Sequence, residues 1–513
     1  MKRFFNTTGP CVHGRHYMLP ASLRCAAVFD LFQREQYFII HAARQTGKTT
    51  LLKALTNEFN AAHQYRALYC SLESVQGIGT PEQGIPAIVG ALQASLEFAD
   101  LPDRFPRDAT FNTVLRIGLA RLCGELDRPL ILLFDEVDCL SDGTLITFLR
   151  QLRDGYVNRD TAPFPNSVAL VGMRDIRDYK AQMRADRDTL GSASPFNIAA
   201  ESLTLQNFTE AEVGTLYGQH TADSGQVFPP EAVARAYYWS QGQPWLVNAL
   251  ARDVVDKLLE GDASRPIRPG LLDEAAERLI LRRDTHIDSL IERLREERVR
   301  RIVEPVLTGS EPELSLDSDD ARYVLDLGLL RKDLGCWEAA NPIYRELIVR
   351  ALSYSVQETL APELRNRWVA NGALDMNGLL QAFQAFWREN SDIWIEKYDY
   401  REAAPHLILQ AFLQRVVNGG AHIDREFALG RQRLDLCVHL GKNRYPLEIK
   451  VRDPRRSDPE PSGLEQLGTY MDTCAASEGW LVIFDRRPDI CWDERIGWNT
   501  VEHDGRTIHV VRC

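Results

Sequence analysis

Four short apolar runs organise the first 205 residues: Tyr37-Phe38-Ile39-Ile40, Ala67-Leu68-Tyr69-Cys70, Leu130 to Phe134 and Val168 to Val171. Each has strand length, and helix-like stretches lie between them. Leu130 to Phe134 is apolar without a break, as expected for a parallel strand covered on both faces. The alternation predicts an α/β domain with a doubly wound parallel sheet over 1–205. From 208 to 260 the period becomes helical, which predicts a helical lid over 206–285. The stretch from Leu290 to Ser353 is helix-rich, ends with Trp337-Glu338-Ala339-Ala340-Asn341-Pro342 and predicts a winged-helix module over 286–353, with Leu325 to Leu330 leading into the wing. A helical linker carrying several Trp and Phe follows over 354–400. Mixed α and β character over 401–513 predicts a last domain.

Composition narrows the class. Hydrophobic residues make up 44% and charged residues 26%, so the 513-residue chain has enough apolar surface for folded cores and is not a disordered polymer. No apolar run approaches the roughly 20 residues that span a bilayer. Met1 to Asn6 contains no signal-like apolar segment. Ten scattered Cys without a Cys-x-x-Cys pair suit reduced thiols, so the expectation is a cytoplasmic protein without a membrane partner. The net charge of −12 makes the surface as a whole no attractor for nucleic acid. Any DNA contact must be local, through a basic patch or a metal ion.

The strand at 37–40 runs into Ala42-Ala43-Arg44-Gln45-Thr46-Gly47-Lys48-Thr49-Thr50, and a helix begins near Lys48. This is a phosphate loop with Ala42 in place of the first glycine. Backbone N–H groups of such a loop cradle a β-phosphate. Gly47 permits close approach, Lys48 neutralises β/γ oxygens and the Thr49 hydroxyl can hold Mg²⁺. The run from Leu130 delivers Asp135 and Glu136 to a strand end. Asp135 is expected to hold Mg²⁺, and Glu136 to polarise the attacking water. Asp138 is either a second acid or a helix cap. Arg174, after the next strand, is either a γ-phosphate sensor or a surface arginine. Cys11, His13 and His16 make an incomplete metal set, and no fourth ligand follows.

Further on, Gly242-Gln243-Pro244-Trp245 breaks and restarts a helix. Together with Phe5 to Cys11, His16 to Pro20, Arg44 to Thr50 and Phe134 to Asp138, it resembles the AAA-like domain of prokaryotic ATPases related to the STAND group. The resemblance spans about 1–350. It implies an ATP site with Arg44, Gln45, Thr46, Gly47, Lys48, Thr49, Thr50, Asp135 and Pro244 around the nucleotide. It also implies an N-terminal segment, Tyr17 or its neighbours, near the base.

A second cluster lies near the C-terminus. Leu434 to Leu440 and Arg444 to Val451 read as strands joined by Gly441-Lys442. A two-residue hairpin there sets Leu440 against Asn443, and hence Asp435 against Glu448. Opposed residues share a face with Cβ atoms roughly 5 Å apart. Lys450 falls on that face too. Two carboxylates so close call for a cation, which suits Mg²⁺ or Mn²⁺ and an activated water. Asp435 followed by Glu448-x-Lys450 resembles the PD-(D/E)XK nuclease superfamily. Gln466 and Tyr470 resemble the Gln-x-x-x-Tyr helix of its RecB-like branch, and Glu426 precedes the Gly-Arg segment. The resemblance covers about 401–490 and implies catalytic roles for Asp435, Glu448, Lys450, Gln466 and Tyr470. The upstream helix from Pro405 to Val417 carries Gln410 and Gln414 where the superfamily often has Glu, and Glu402 lies near its start. Arg452, Arg455 and Arg456 could meet a phosphate backbone. The Arg-rich stretch from 293 to 301 is interleaved with Glu and suits a solvated helix face.

The leading expectation is an ATP-hydrolysing switch that controls a metal-dependent DNA nuclease, with a role in defence suggested by the domain pairing. A STAND-like signalling or scaffold protein with a silent nuclease fold is the alternative. Both leave room for a protein trigger and for homo-oligomers. A helicase-like motor is disfavoured, since no second motor domain follows.

Overall fold

The computed structural model describes residues 3–174, 199–282, 290, 292–307, 318–333, 336–348, 368–370, 373–397, 409, 412–413, 422–429, 432–452, 457–485, 487 and 490–513. The chain divides into two units, 1–290 with 316–344, and 291–315 with 345–513.

In the first unit, β1 (Tyr37–His41), β2 (Arg66–Ser71), β3 (Leu130–Asp135), β4 (Ser167–Gly172) and β5 (Glu201–Thr204) form one sheet in the order β2-β3-β4-β1-β5. Every pairing is parallel. The four apolar runs are therefore strands, and both faces of the sheet are covered. Leu130, Leu132 and Phe134 pack with Ile85, Leu92 and Phe148 on one side. Ile131 and Leu133 meet Leu51, Leu55 and Phe32 on the other. Each such buried side chain contributes about 1.5–3 kcal/mol relative to exposure. The fifth strand, Glu-Ser-Leu-Thr, has no apolar run because it is a partly exposed edge. One consequence matters for the site. Strand β4 separates the phosphate-loop strand β1 from the acidic strand β3, so the end of β4 lies between them.

Helices follow over 210–282. The helix Glu210–Ser224 opens with a capping box between Thr209 and Glu212, which satisfies two end groups at once. Pro230–Ser240 and Pro244–Arg252 each start with proline in the first turn, where its missing N–H costs nothing. The helix Asp319–Asp326 leads into an antiparallel hairpin of β6 (Leu330–Asp333) and β7 (Cys336–Ala339).

The second unit holds a small ribbon, β8 (Val369–Ala370) with β9 (Ala373–Leu374). Its main sheet contains β10 (His422–Leu429), β11 (Gln432–Leu440), β12 (Asn443–Arg452), β13 (Glu478–Asp485), β14 (Gly497–His503) and β15 (Arg506–Arg512). The order is β10-β11-β12-β13-β15-β14. The first three strands are antiparallel, whereas β12, β13 and β15 run parallel. The helix Glu460–Cys474 makes the crossover that a parallel β12–β13 pair requires. On the opposite face, Leu379, Leu380, Phe383 and Trp387 of the helix Met376–Lys397 pack with Leu436, Val438, Leu447 and Phe484. The sequence places this helix in a linker. Its aromatic residues instead serve as core, which explains why they are there. No described helix is long and apolar enough to cross a membrane.

Candidate functional site

Strand β1 ends in the loop 42–47, and the helix Lys48–Ala61 starts at once. Positive φ falls at Gln45 (59°) and Gly47 (91°) and not at Ala42. The first loop position therefore needs no glycine, and the Ala42 methyl is buried in the sheet's core. The buried Lys48 side chain folds back over its own loop. Its Nζ donates to Ala42 O at 2.8 Å and to Ala43 O at 3.0 Å. Burial lowers the proton affinity of Lys48, and the nearby Glu136, Asp138 and Asp135 oppose that shift.

Asp135 closes β3 and is 1% exposed. Its Oδ2 accepts from Thr49 Oγ1 at 2.7 Å and from the Tyr69 hydroxyl at 3.0 Å. Its Oδ1 accepts from the Glu136 N–H at 3.1 Å. Glu136 stands in the left-handed region (φ 56°), an unusual and costly conformation for a side-chain-bearing residue. Burial, then Asp138 and Asp135, raise its proton affinity, while Lys48 and Arg44 counter them. Asp138 lies against Gly172, where an added Cβ would come within 2.7 Å of Asp138 Oδ1.

Arg174 is buried and not a surface arginine. Its Nη2 donates to Asp319 Oδ1 at 2.9 Å and its Nε to Asp326 Oδ2 at 3.2 Å.

Two further segments reach the loop. Gln243 caps the helix Pro244–Arg252 through the Leu246 N–H, and its Nε2 donates to Gln45 O at 3.4 Å. Pro244 is the buried first residue of that helix. The indole of Trp245 donates to Thr7 O at 2.9 Å, and the Cys11 N–H donates to Thr50 Oγ1 at 3.0 Å. The N-terminal segment is thus tied to the start of the phosphate-loop helix. Thr46 Oγ1 bonds Ala43 O within the loop, whereas Arg44 and Gln45 are exposed. His16 accepts the Val12 N–H, which makes it part of its own turn. Among the described residues no group of three or more His, Cys, Asp or Glu is arranged to hold a metal.

No sequence motif points to Tyr69, Asp319 or Asp326. Tyr69 carried one signal, a hydroxyl near the polar end of an otherwise apolar strand. The two aspartates carried none.

In the second unit the hairpin turns at Gly441 (φ 62°) and pairs Leu440 with Asn443 through Leu436 with Leu447. The paired register ends there, one residue short of position 435 and Glu448. The side chains of Asp435 and Glu426 lie outside the described residues, as do residues Glu402, Gln410, Gln414, Arg455 and Arg456. Glu448 is 2% exposed, and its Oε1 accepts from Lys450 Nζ at 2.7 Å. The helix Glu460–Cys474 lies over this face: a Cβ on Gly463 would stand 3.3 Å from Lys450 Cγ. Tyr470 is buried in an apolar cluster with Cys437, Leu467 and Leu481. Gln466 is exposed.

Residues 33–179 match the family model described as an AAA domain. No curated protein matches the chain. Among solved structures, a Walker-type ATPase of Pyrococcus abyssi aligns at 15% identity and a TM-score of 0.49, over 67% of this chain and 99% of its own. The ORC2 protein of Aeropyrum pernix, solved with ADPNP and ADP, aligns at 13% identity and a TM-score of 0.39, over 66% and 93%. The RuvB Holliday junction branch migration motor of Thermotoga maritima aligns at 16% identity and a TM-score of 0.33, over 64% and 92%. The family match and the all-parallel sheet that carries the phosphate loop give residues 33–179 an AAA-type P-loop fold.

Proposed function

We propose that the N-terminal unit binds and hydrolyses ATP, and that this cycle controls a metal-dependent nuclease in the C-terminal unit. The observation that carries the first half is the convergence of Lys48, Thr49, Asp135 and Glu136 at one end of a parallel sheet, where ligands of such sheets bind. Thr49 Oγ1 and Asp135 already bond at 2.7 Å and are hard oxygen donors that suit Mg²⁺. Mg²⁺ held there would supply charge neutralisation to the nucleotide's phosphate oxygens. Lys48 leaves its two carbonyl partners and neutralises the same oxygens from the loop side. The carboxylate of Glu136 orients the attacking water and takes up its proton. Tyr69 keeps Asp135 aimed at Thr49.

For the second half, Asp435 and Glu448 would hold Mg²⁺ or Mn²⁺, which supplies an activated water and stabilises phosphoryl charge. Lys450 would orient an attacking water or stabilise negative charge on the scissile phosphate, and the substrate is DNA. The hairpin register, which runs to Leu436–Leu447 beside Glu448, and the helix Glu460–Cys474 over the face of Lys450 support this reading. A role in defence, a protein trigger and self-assembly belong to the same proposal.

One observation favours the signalling or scaffold reading. The sheltered Glu448–Lys450 ion pair is also what bracing a sheet would produce. Incubating the full chain with supercoiled and linear DNA, with Mg²⁺ or Mn²⁺ and with or without ATP, separates the two. Cleavage that Glu136→Gln alters at fixed metal supports the coupled enzyme. ATP turnover without cleavage of DNA or RNA supports the scaffold.

A further inference from the structure

Arg174 follows the end of β4, the strand between phosphate-loop strand β1 and acidic strand β3, and its guanidinium is committed to a neighbouring helix. It is 3% exposed and held by Asp319 and Asp326, with its Cζ 5.3 Å from the Tyr323 ring centroid. Those three partners come from one helix, Asp319–Asp326. At i, i+4 and i+7 they form a single stripe, so the helix presents one binding face to Arg174. Asp319 suits the first turn of a helix. Asp326 does not suit the last, where the macrodipole disfavours a carboxylate. Arg174 offsets that penalty, which makes the helix dependent on it.

The same stretch touches the phosphate loop. Gly328, two residues after the helix, has φ 73°, and an added Cβ would fall 2.7 Å from the Ala43 Cβ. Arg331 of β6 pairs with Glu338 at 2.6 Å and bonds Gln241, in the turn that carries Gln243.

We propose that Asp319, Tyr323 and Asp326 are positioning residues that compete with the γ-phosphate of ATP for Arg174 and thereby set the preference for ATP over ADP. This rests on the ATP reading of the site. ADP has no γ-phosphate and leaves the clamp closed. ATP brings an anion to the one guanidinium that two carboxylates share. Drawing Arg174 toward the γ-phosphate strands Asp319 and Asp326 beside a polyanion, and their repulsion displaces the helix. A ligand shifts such an equilibrium only through its differential affinity for the two states, and the γ-phosphate is that difference.

The test uses the full chain with Mg²⁺. Calorimetry gives the affinities for a non-hydrolysable ATP analogue and for ADP. Hydrogen exchange follows the backbone of 319–326. In the wild type, the analogue should raise exchange in this helix and ADP should not. Asp319→Asn/Asp326→Asn should raise the ATP-to-ADP affinity ratio about tenfold, and Asp319→Glu/Asp326→Glu should move it back toward wild type. If the Asn pair unfolds because a buried guanidinium is left uncompensated, Arg174→Gln provides the second background. There the two Asn substitutions should leave the ratio unchanged. A ratio that falls in the Asn pair, or that shifts equally with and without Arg174, overturns the clamp. So does helix exchange indifferent to the γ-phosphate in a protein that binds both nucleotides. Wild-type protein that binds neither nucleotide overturns the ATP reading itself.

Discussion

Two strands of this protein carry nearly the same local text. Strand β3 reads Leu-Ile-Leu-Leu-Phe-Asp and β13 ends Trp-Leu-Val-Ile-Phe-Asp, and both are buried parallel strands closed by a buried aspartate. Their surroundings differ. Asp135 meets two hydroxyls and a backbone N–H, from Thr49, Tyr69 and Glu136. Asp485 meets the fork of Arg487 through Nε at 2.9 Å and Nη2 at 2.6 Å. Hydroxyls orient a carboxylate without cancelling its charge, and a bidentate guanidinium cancels it. The first arrangement leaves an anion for a cation to use, and the second makes a closed structural pair. An apolar run ending in Asp is therefore not a catalytic signal by itself. What distinguishes β3 is the phosphate loop that brings Thr49 to its end.

The sharpest way to break the comparison is to remove charge from each region in turn. Lys48→Ala should weaken ATP binding at least about 100-fold by calorimetry, since the β/γ oxygens lose their neutralising partner. Asp135→Asn should lower turnover by a similar factor, while Asp485→Asn leaves turnover unchanged. Equal ATP affinity in wild type and Lys48→Ala would remove the nucleotide site. Loss of turnover in Asp485→Asn would mean that the two strand ends are not functionally distinct.

The C-terminal carboxylates give the next largest effect. Asp435→Ala should abolish metal-dependent DNA cleavage and leave ATP turnover without DNA unchanged, because the two sites belong to different units. Lys450→Ala should retain metal and slow cleavage by about 10²-fold. Cleavage that survives Asp435→Ala would leave Glu448 and Lys450 as a brace within the sheet.

Local chemistry was legible in the sequence, and partnership across the chain was not. The first four strands of the first sheet, inner β3, β4 and β1 and edge strand β2, can be read because burial forces short apolar runs. Edge strand β5 cannot, because Glu201 to Thr204 has only one neighbour and little to bury. The hairpin register from Leu440–Asn443 follows from turn length alone. The helix Met376–Lys397 reads as a linker because nothing local tells which sheet its Phe and Trp will cover. The phosphate loop is contiguous and so is visible. The clamp on Arg174 joins residues 145 and 152 positions apart, and no pattern of spacing encodes that.

A smaller effect tests how Asp135 is aimed. Tyr69→Phe keeps the ring and removes the hydroxyl that bonds Asp135 at 3.0 Å. Turnover should fall about 3–10-fold with ATP affinity nearly unchanged, since Asp135 keeps its other two donors and the net contribution of one hydrogen bond is about 0.5–1.5 kcal/mol. A fall in affinity with turnover intact would place Tyr69 in nucleotide binding instead.

The mildest prediction concerns Asp485 and acid. Burial alone would raise its proton affinity, but the Arg487 fork and the Arg487 N–H outweigh burial and hold the carboxyl below its usual range. A carboxyl depressed in the folded state contributes stability that is fully present above its unfolded pKa, near 4. That contribution is lost as the pH falls through the lower folded value. The C-terminal unit should therefore lose melting temperature below about pH 4, and Asp485→Asn should flatten that loss while costing about 1 kcal/mol at neutral pH. Arg487 is partly exposed, so added salt should reduce the difference between the two proteins. Parallel melting curves for wild type and Asp485→Asn across pH 2 to 7 would show that Arg487 does not neutralise this acid, and the contrast with Asp135 would then rest on the phosphate loop alone.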